Sequence, residues 1–350
     1  MKFLVYGAGV LGSLYAAKLQ ESGQDVTVLA RGRRLEQIRE HGIVLVEEGT
    51  GVFTTTRVRT IERLEPDDAY DFVLVVMRKN QVGAVLPALA ASRATPNVVF
   101  MVNSATGGDE MISLLGKERV ILGFPGAGGA REGHVVHYRL ATAVQPNTFG
   151  EPDGRVTERL RQLGQAFTAA GLPVVFSAHM DAWLKTHVAL VSPIANALYL
   201  AGGDNYRLAR TPDGLVLMVR AIKEGLRVLK ALNIPIEPAH YRALLWIPEP
   251  VLVGMLRRSM HTEQAELVMA RHANAARDEM EQLADEFQML ARKSGLETPA
   301  IDALYPYIDP TVPVVAAGTK HLAMDWRGVW LAAGVVSSVL LGVYYWRRRS

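Results

Sequence analysis

Apolar and polar positions along the chain fall into two regimes. Up to about residue 180, short β-rich apolar runs alternate with stretches of helical spacing. The runs at 2–6, 25–30, 71–77, 98–102 and 120–124 predict strands, and their alternation with helices predicts a doubly wound parallel sheet. Two further β-like runs, 134–139 and 142–150, lead into the turn Phe149-Gly150-Glu151-Pro152-Asp153-Gly154. A helix over 155–170 and a last strand over 173–177 follow. From Asp181 to about Ile308 helical periodicity dominates, most clearly over 181–201, 215–232 and 272–294. The pattern therefore predicts an α/β domain over 1–178, an all-helical domain over 179–308 and a linker over 309–327.

The C-terminal segment breaks with both regimes. Residues 328–346 carry no charge, and as a helix they would be roughly 28 Å long, close to the hydrocarbon thickness of a bilayer. Trp330 lies near one end, and Tyr344, Tyr345 and Trp346 lie at the other, where amphipathic rings favour a membrane interface. A transmembrane helix over 328–346 is expected, against the alternative of a buried terminal helix.

Composition adds limits rather than direction. Apolar residues make up 49% and charged ones 21%, ordinary values for a globular chain. The net charge of +3 is small, part of it sits in Arg347-Arg348-Arg349, and no basic stripe points to nucleic acid. With no cysteine the chain has no disulfide, no thiolate nucleophile and no cysteine-based metal site, and no metal is expected.

The first candidate chemistry follows the first strand directly. Gly7-Ala8-Gly9-Val10-Leu11-Gly12 is a G-x-G-x-x-G sequence between a strand and a helix. Gly7 permits the tight turn, Gly9 lets the backbone approach a pyrophosphate, and Gly12 allows close packing of helix on strand. The helix N-terminus then faces the phosphate charge. An NAD-binding unit places Asp or Glu at the end of the second strand to hold the ribose 2′-hydroxyl. Here Val28-Leu29-Ala30 is followed by Arg31-Gly32-Arg33-Arg34. Arginine matches phosphate geometry and no carboxylate repels it, so the expected cofactor is NADPH, with Arg31 on the 2′-phosphate and Arg33 or Arg34 in support.

With this loop, Arg31 and a helix over 34–40 ending at His41-Gly42-Ile43, the sequence resembles the ketopantoate reductase (2-dehydropantoate 2-reductase) family from residue 1 to about 308. The resemblance implies a Rossmann domain followed by an all-α domain like the C-terminal domain of 6-phosphogluconate dehydrogenase. It also implies NADPH-dependent reduction of a 2-oxo acid to a 2-hydroxy acid, with 2-dehydropantoate as the default substrate. The family has a lysine, two intervening residues and a glutamine after a Rossmann strand. In Arg78-Lys79-Asn80-Gln81 an arginine takes the lysine's place, so Arg78 is expected at the cofactor. The family's Asn-Gly loop, which touches nicotinamide ribose and substrate, becomes Asn103-Ser104-Ala105-Thr106-Gly107, keeping the asparagine.

In the second domain Asp181-Ala182-Trp183-Leu184-Lys185 resembles the stretch carrying the family's catalytic lysine. An ammonium beside the carbonyl oxygen can stabilise developing charge and donate the proton, which makes Lys185 the expected catalytic residue. The family's asparagines one and two turns further fall near Ala189 and Ser192-Pro193, leaving Ser192 as a substitute contact and Asn196 further on. His187 points to nearly the opposite helix face. Glu279 precedes Gly295 and Pro299 at the spacing of the family's substrate-holding glutamate, while Leu267 or a neighbour stands where a serine is expected. A bulkier or less polar substrate than 2-dehydropantoate is therefore compatible with the chain. A reading from another class is a membrane-tethered NADPH-binding sensor or scaffold without turnover.

Met1-Lys2 runs straight into the first strand, so no signal peptide is expected. Together with a cytosolic cofactor this gives the expectation of a single-pass membrane protein with a cytoplasmic catalytic body, although the three terminal arginines favour the opposite orientation. The partners expected are a small carbonyl substrate, the membrane and a second copy of the chain in a homodimer.

Overall fold

The computed structural model describes residues 1–140 and 145–330. It divides into two compact units: Met1–Val188 with Arg271–Leu290, and Ala189–Ala270 with the described residues from Ala291 onward.

In the first unit the described residues form an eight-stranded sheet. Its strands are β1 (Lys2–Tyr6), β2 (Asp25–Leu29), β5 (Arg59–Ile61), β6 (Phe72–Val75), β7 (Val98–Met101), β8 (Val120–Phe124), β11 (Asn147–Gly150) and β12 (Val174–Phe176). The order is β12-β11-β8-β7-β6-β1-β2-β5, and every pairing is parallel except β11 with β8. Strands with helices on both faces are apolar at consecutive positions. In β1, Phe3 and Val5 pack into one core with Tyr15, Phe149 and Phe167, while Leu4 and Tyr6 join Val73, Leu86 and Trp183 in the other. The helices are α1 (Val10–Glu21), α2 (Gly32–His41), α3 (Lys79–Ala91), α4 (Asp109–Leu115), α5 (Glu158–Ala169) and the start of α6 (Met180–Leu200). The chain leaves β1 through α1 to one side and comes back on the other at β6, which puts the switch point of the sheet at the C-terminal ends of β1 and β6. The expected Rossmann α/β architecture is thus present.

A smaller four-stranded sheet was not foreseen in full. It consists of β3 (Ile43–Glu47), β4 (Phe53–Thr56), β9 (Ala127–Glu132) and β10 (Val135–Leu140), in the order β4-β3-β10-β9. Of the β-like run over 142–150, residues 147–150 form β11, and 141–144 lie outside the described residues.

The second unit is helical, as expected. Its main helices are Asn205–Ala209, Pro212–Ala231 and Glu249–Met260. Glu224 is buried and accepts from the backbone N–H groups of Ala300 and Ile301 at 3.0 Å each, capping the short helix Pro299–Leu304. Desolvation pushes its carboxyl above the usual carboxylate range. Residues 309–327 are tied to this unit along their length. The N–H of Val315 donates to the Leu200 carbonyl at 3.0 Å, those of His321 and Leu322 to the Asp213 carboxylate at 3.0 and 2.9 Å, and that of Asp325 to Glu249 at 2.9 Å. Arg220 closes on the same Glu249 through two bonds of 2.9 Å.

The expectation of a transmembrane helix and a membrane location is corrected. No helix among the described residues is long and apolar enough to cross a membrane. Of the segment 328–346, only 328–330 are described, and there Gly328 packs against Pro248. The remaining residues of that segment, 331–346, lie outside the described residues.

Candidate active site

The glycine loop lies at the switch point, and at two of its positions the local backbone permits no side chain. Gly7 has φ of +120°, and a Cβ on it would collide with the Val76 carbonyl at the end of β6. A Cβ on Gly12 would run into the Gly7 carbonyl, so α1 can sit on β1 only with glycine at that place. Gly9 differs: a Cβ there would meet nothing within 4 Å. The space in front of Gly9 is open, and Gly9 caps α1 with no side-chain acceptor on its first N–H groups and no acidic residue in the first turn. Ala8, Val10 and Leu11 complete the loop. Open space before uncapped amides fits a pyrophosphate.

Of the three arginines after β2, Arg31 and Arg34 differ most in their surroundings. Arg31 is exposed, and its guanidinium donates to the Tyr6 hydroxyl at 3.3 Å. Arg34 is turned inward. Its Nε donates to the Ala8 carbonyl at 3.0 Å, and its terminal nitrogens donate to Ser13 Oγ at 2.8 Å and the His134 carbonyl at 3.1 Å. Burial, helped by the nearby charge of Arg131, lowers its pKa to about 10. Arg34 braces the loop, whereas Arg31 and Arg33 are both exposed to solvent.

Around the ends of β6 and β7 the late helix Arg277–Ser294 supplies the acidic partners. Arg78 pairs with Asp278 at 2.9 Å and donates to the Ala275 carbonyl, while Asn80 Nδ2 donates to the same Asp278 at 2.7 Å. The Arg78 guanidinium is therefore already partnered in protein contacts. Glu279 is buried and accepts from the backbone N–H of Lys79 at 3.2 Å and from Asn103 Nδ2 at 3.5 Å. Asn103 Oδ1 is buried with no hydrogen-bond partner among the described residues. A buried acceptor left open in this way fits a donor group of a bound ligand.

Lys185 stands on α6 beside the other end of the same loop. It forms an ion pair with Asp181, one turn earlier, and its side chain is 13% exposed. Gly107, with φ of +71°, lets the loop backbone lie against this pair. A Cβ on Gly107 would collide with the Asp181 carboxylate and lie 3.3 Å from Lys185 Nζ. The loop 103–107 thus meets Glu279 at Asn103 and Lys185 at Gly107. His187, two residues on, is packed away between rings: it stacks on Trp183 at 5.5 Å and lies 4.2 Å from Phe124. Burial, then the charge of His272, lowers its pKa to about 4, so the imidazole is neutral.

Arg31, Arg78, Asn103, Lys185 and Glu279 all belong to the first unit, whereas Ser192 is a buried residue of the second. Sequence reading missed three residues. Asp181 carries a recognisable signal, the i, i+4 spacing to Lys185. Lys79 and Glu286 are both buried. Glu286 stands seven residues after Glu279, two helical turns, but burial of that face is set by contacts distant in sequence.

Residues 3–154 match the family model described as ketopantoate reductase PanE/ApbA. An uncharacterized oxidoreductase of Bacillus subtilis, YkpB, is 30% identical over 191 residues, covering 53% of this chain and 61% of that protein. The chain thus spans less than two thirds of that relative's length. A 2-dehydropantoate 2-reductase of Halobacterium salinarum is 26% identical over 308 residues, covering 87% of this chain and 96% of the relative. The crystal structure of a 2-dehydropantoate 2-reductase from Geobacter metallireducens shares the fold, with a TM-score of 0.73 at 19% identity over 88% of this chain and 99% of that one. Over residues 3–154 the chain is thus similar to the ketopantoate reductase family, and the resemblance to the Halobacterium protein continues beyond them at lower identity. The family is one of oxidoreductases that bind a nicotinamide cofactor, and the open glycine loop and the unpartnered Asn103 carbonyl fit such a group.

Proposed function

We propose that this chain, as a member of the ketopantoate reductase family, reduces a 2-oxo acid to the 2-hydroxy acid with NADPH, 2-dehydropantoate being the default substrate. The observation that carries the reading is the position of Lys185 against the loop 103–107, whose other end carries the open Asn103 carbonyl. When bound, NADPH supplies the hydride that goes to the carbonyl carbon. Lys185 gives the matching proton to the carbonyl oxygen, so charge never accumulates there. Asp181 holds the ammonium in place, and its half-exposed carboxylate links it to solvent for reprotonation. Asn103 and Glu279 orient the reactants. The glycine loop receives the pyrophosphate, and Arg31 receives the 2′-phosphate, which selects NADPH over NADH.

The test is turnover of NADPH by the purified chain against a panel of 2-oxo acids that includes 2-dehydropantoate, followed by nicotinamide absorbance. Reduction of one or more acids, with weaker turnover on NADH, supports the reading. Tight NADPH binding without reduction of any acid overturns it in favour of a non-catalytic cofactor-binding protein.

A further inference from the structure

We infer that Glu286 and Lys79 form a buried positioning pair for the loop that carries Asn103, with a task separate from that of Glu279. The kinetic part of this inference rests on the reductase reading above; the structural part does not. One carboxylate oxygen of Glu286 accepts from two consecutive backbone amides, Ala105 N at 2.9 Å and Thr106 N at 3.3 Å. Its other oxygen accepts from Gln282 Nε2 at 3.0 Å and lies 3.8 Å from Lys79 Nζ. The Lys79 ammonium also donates to Glu110 at 3.2 Å, and the side chains of Lys79 and Glu286 are only 3% and 7% exposed.

A carboxylate taken this far out of water is costly unless its lone pairs are met, and here each oxygen accepts a hydrogen bond while the lysine balances the charge. Two amides converging on one oxygen fix the orientation of the peptide planes at 105 and 106. Those planes set the direction of Asn103 upstream and the approach of Gly107 to Asp181 and Lys185 downstream. Lys79 completes the device from the first residue of α3. Its backbone N–H is held by Glu279 and its side chain faces Glu286, so one residue is tied to two carboxylates of the late helix. Buried ion pairs often add little net stability, whereas a fixed geometry serves a loop that must present one polar atom in one direction.

The experiment compares Glu286→Leu, Glu286→Gln and the double variant Lys79→Met/Glu286→Leu in the full chain. Its readouts are amide hydrogen exchange over 103–107, Tm, NADPH titration and the split between kcat and KM. Glu286→Leu is expected to speed exchange at Ala105 and Thr106 by about tenfold or more and to lower kcat by about tenfold, with NADPH affinity within about threefold. Adding Lys79→Met removes a buried ammonium that has lost one of its two carboxylate partners and keeps Glu110, and recovers part of Tm but neither exchange protection nor kcat. Glu286→Gln keeps an acceptor for the two amides and loses less protection and less kcat than the leucine variant. Unchanged exchange in Glu286→Leu overturns the inference, as does a double variant that regains kcat together with Tm. Should Glu286→Leu not fold, the double and glutamine variants carry the same comparison. Should the chain bind NADPH and reduce no acid, the proposed function falls while the exchange measurement still decides the role of Glu286.

Discussion

The Nε of Arg34 lies 3.0 Å from the carbonyl oxygen of Ala8, inside the glycine loop, and the same guanidinium reaches Ser13 on α1. Arg31, three residues earlier, is exposed. Neighbouring arginines of one basic turn therefore do different things, and replacing each has a different consequence. Arg31→Ala should weaken NADPH by about ten- to a hundredfold, the scale of a lost charge-assisted contact, and leave NADH nearly unaffected. Arg34→Ala should weaken both cofactors and lower Tm, because the loop loses its brace. Titration of both variants with both nucleotides distinguishes the two roles.

The glycines separate in the same way. Gly12→Ala forces a methyl into the Gly7 carbonyl, a backbone clash that should cost about 1–3 kcal/mol of stability. Gly9→Ala meets nothing in the protein. It should unfold at nearly the wild-type denaturant concentration and still bind NADPH at least about tenfold more weakly, since the methyl occupies the pyrophosphate's approach. Denaturation midpoints together with nucleotide titration check the pair.

Lys185→Ala should lower kcat by about a hundred- to ten-thousandfold, the usual range for a lost proton donor, with little change in NADPH affinity. Asp181→Asn should produce a smaller loss, because the ammonium remains but is less firmly held. Undiminished turnover in Lys185→Ala would remove it from the proposed mechanism.

His187 gives a pH dependence with a definite sign. Its pKa falls from 6.5 in an unperturbed imidazole to about 4 in the fold. Between these values the unfolded chain binds a proton that the folded one does not, so stability drops as pH falls through this window. The loss should be on the order of 2 kcal/mol by pH 4. His187→Phe, which preserves stacking on Trp183, should flatten the dependence of the urea midpoint on pH from 7 to 4.5. An imidazole that titrates near 6.5 by NMR would contradict it.

The parts of the fold legible from sequence are those whose signals are local. β1, the glycine turn and α1 follow one another within 21 residues, and each glycine has a local steric reason. The small sheet was only partly legible. β4 reads Phe-Thr-Thr-Thr and β9 reads Ala-Gly-Gly-Ala-Arg-Glu, with too few large apolar side chains to give a period-2 signal. They are strands because β3 and β10 offer them hydrogen-bonding edges. The candidate site divides likewise. Glu279 and Lys185 stand out by family spacing, whereas Asp181 was missed although its helical distance from Lys185 was there to be read. Lys79 and Glu286 have no such local signal, because their burial arises from packing between segments some 200 residues apart in the chain.

The hydrogen bonds along residues 309–327 also decide how far this chain can be trimmed. Asp213 and Glu249 are both buried, and they receive backbone N–H groups from His321, Leu322 and Asp325. A chain ending at residue 308 would strip donors from both carboxylates and uncover the helices beneath. Cutting after residue 327 keeps every one of those bonds, so the helical unit carries its own C-terminal fastening up to that residue.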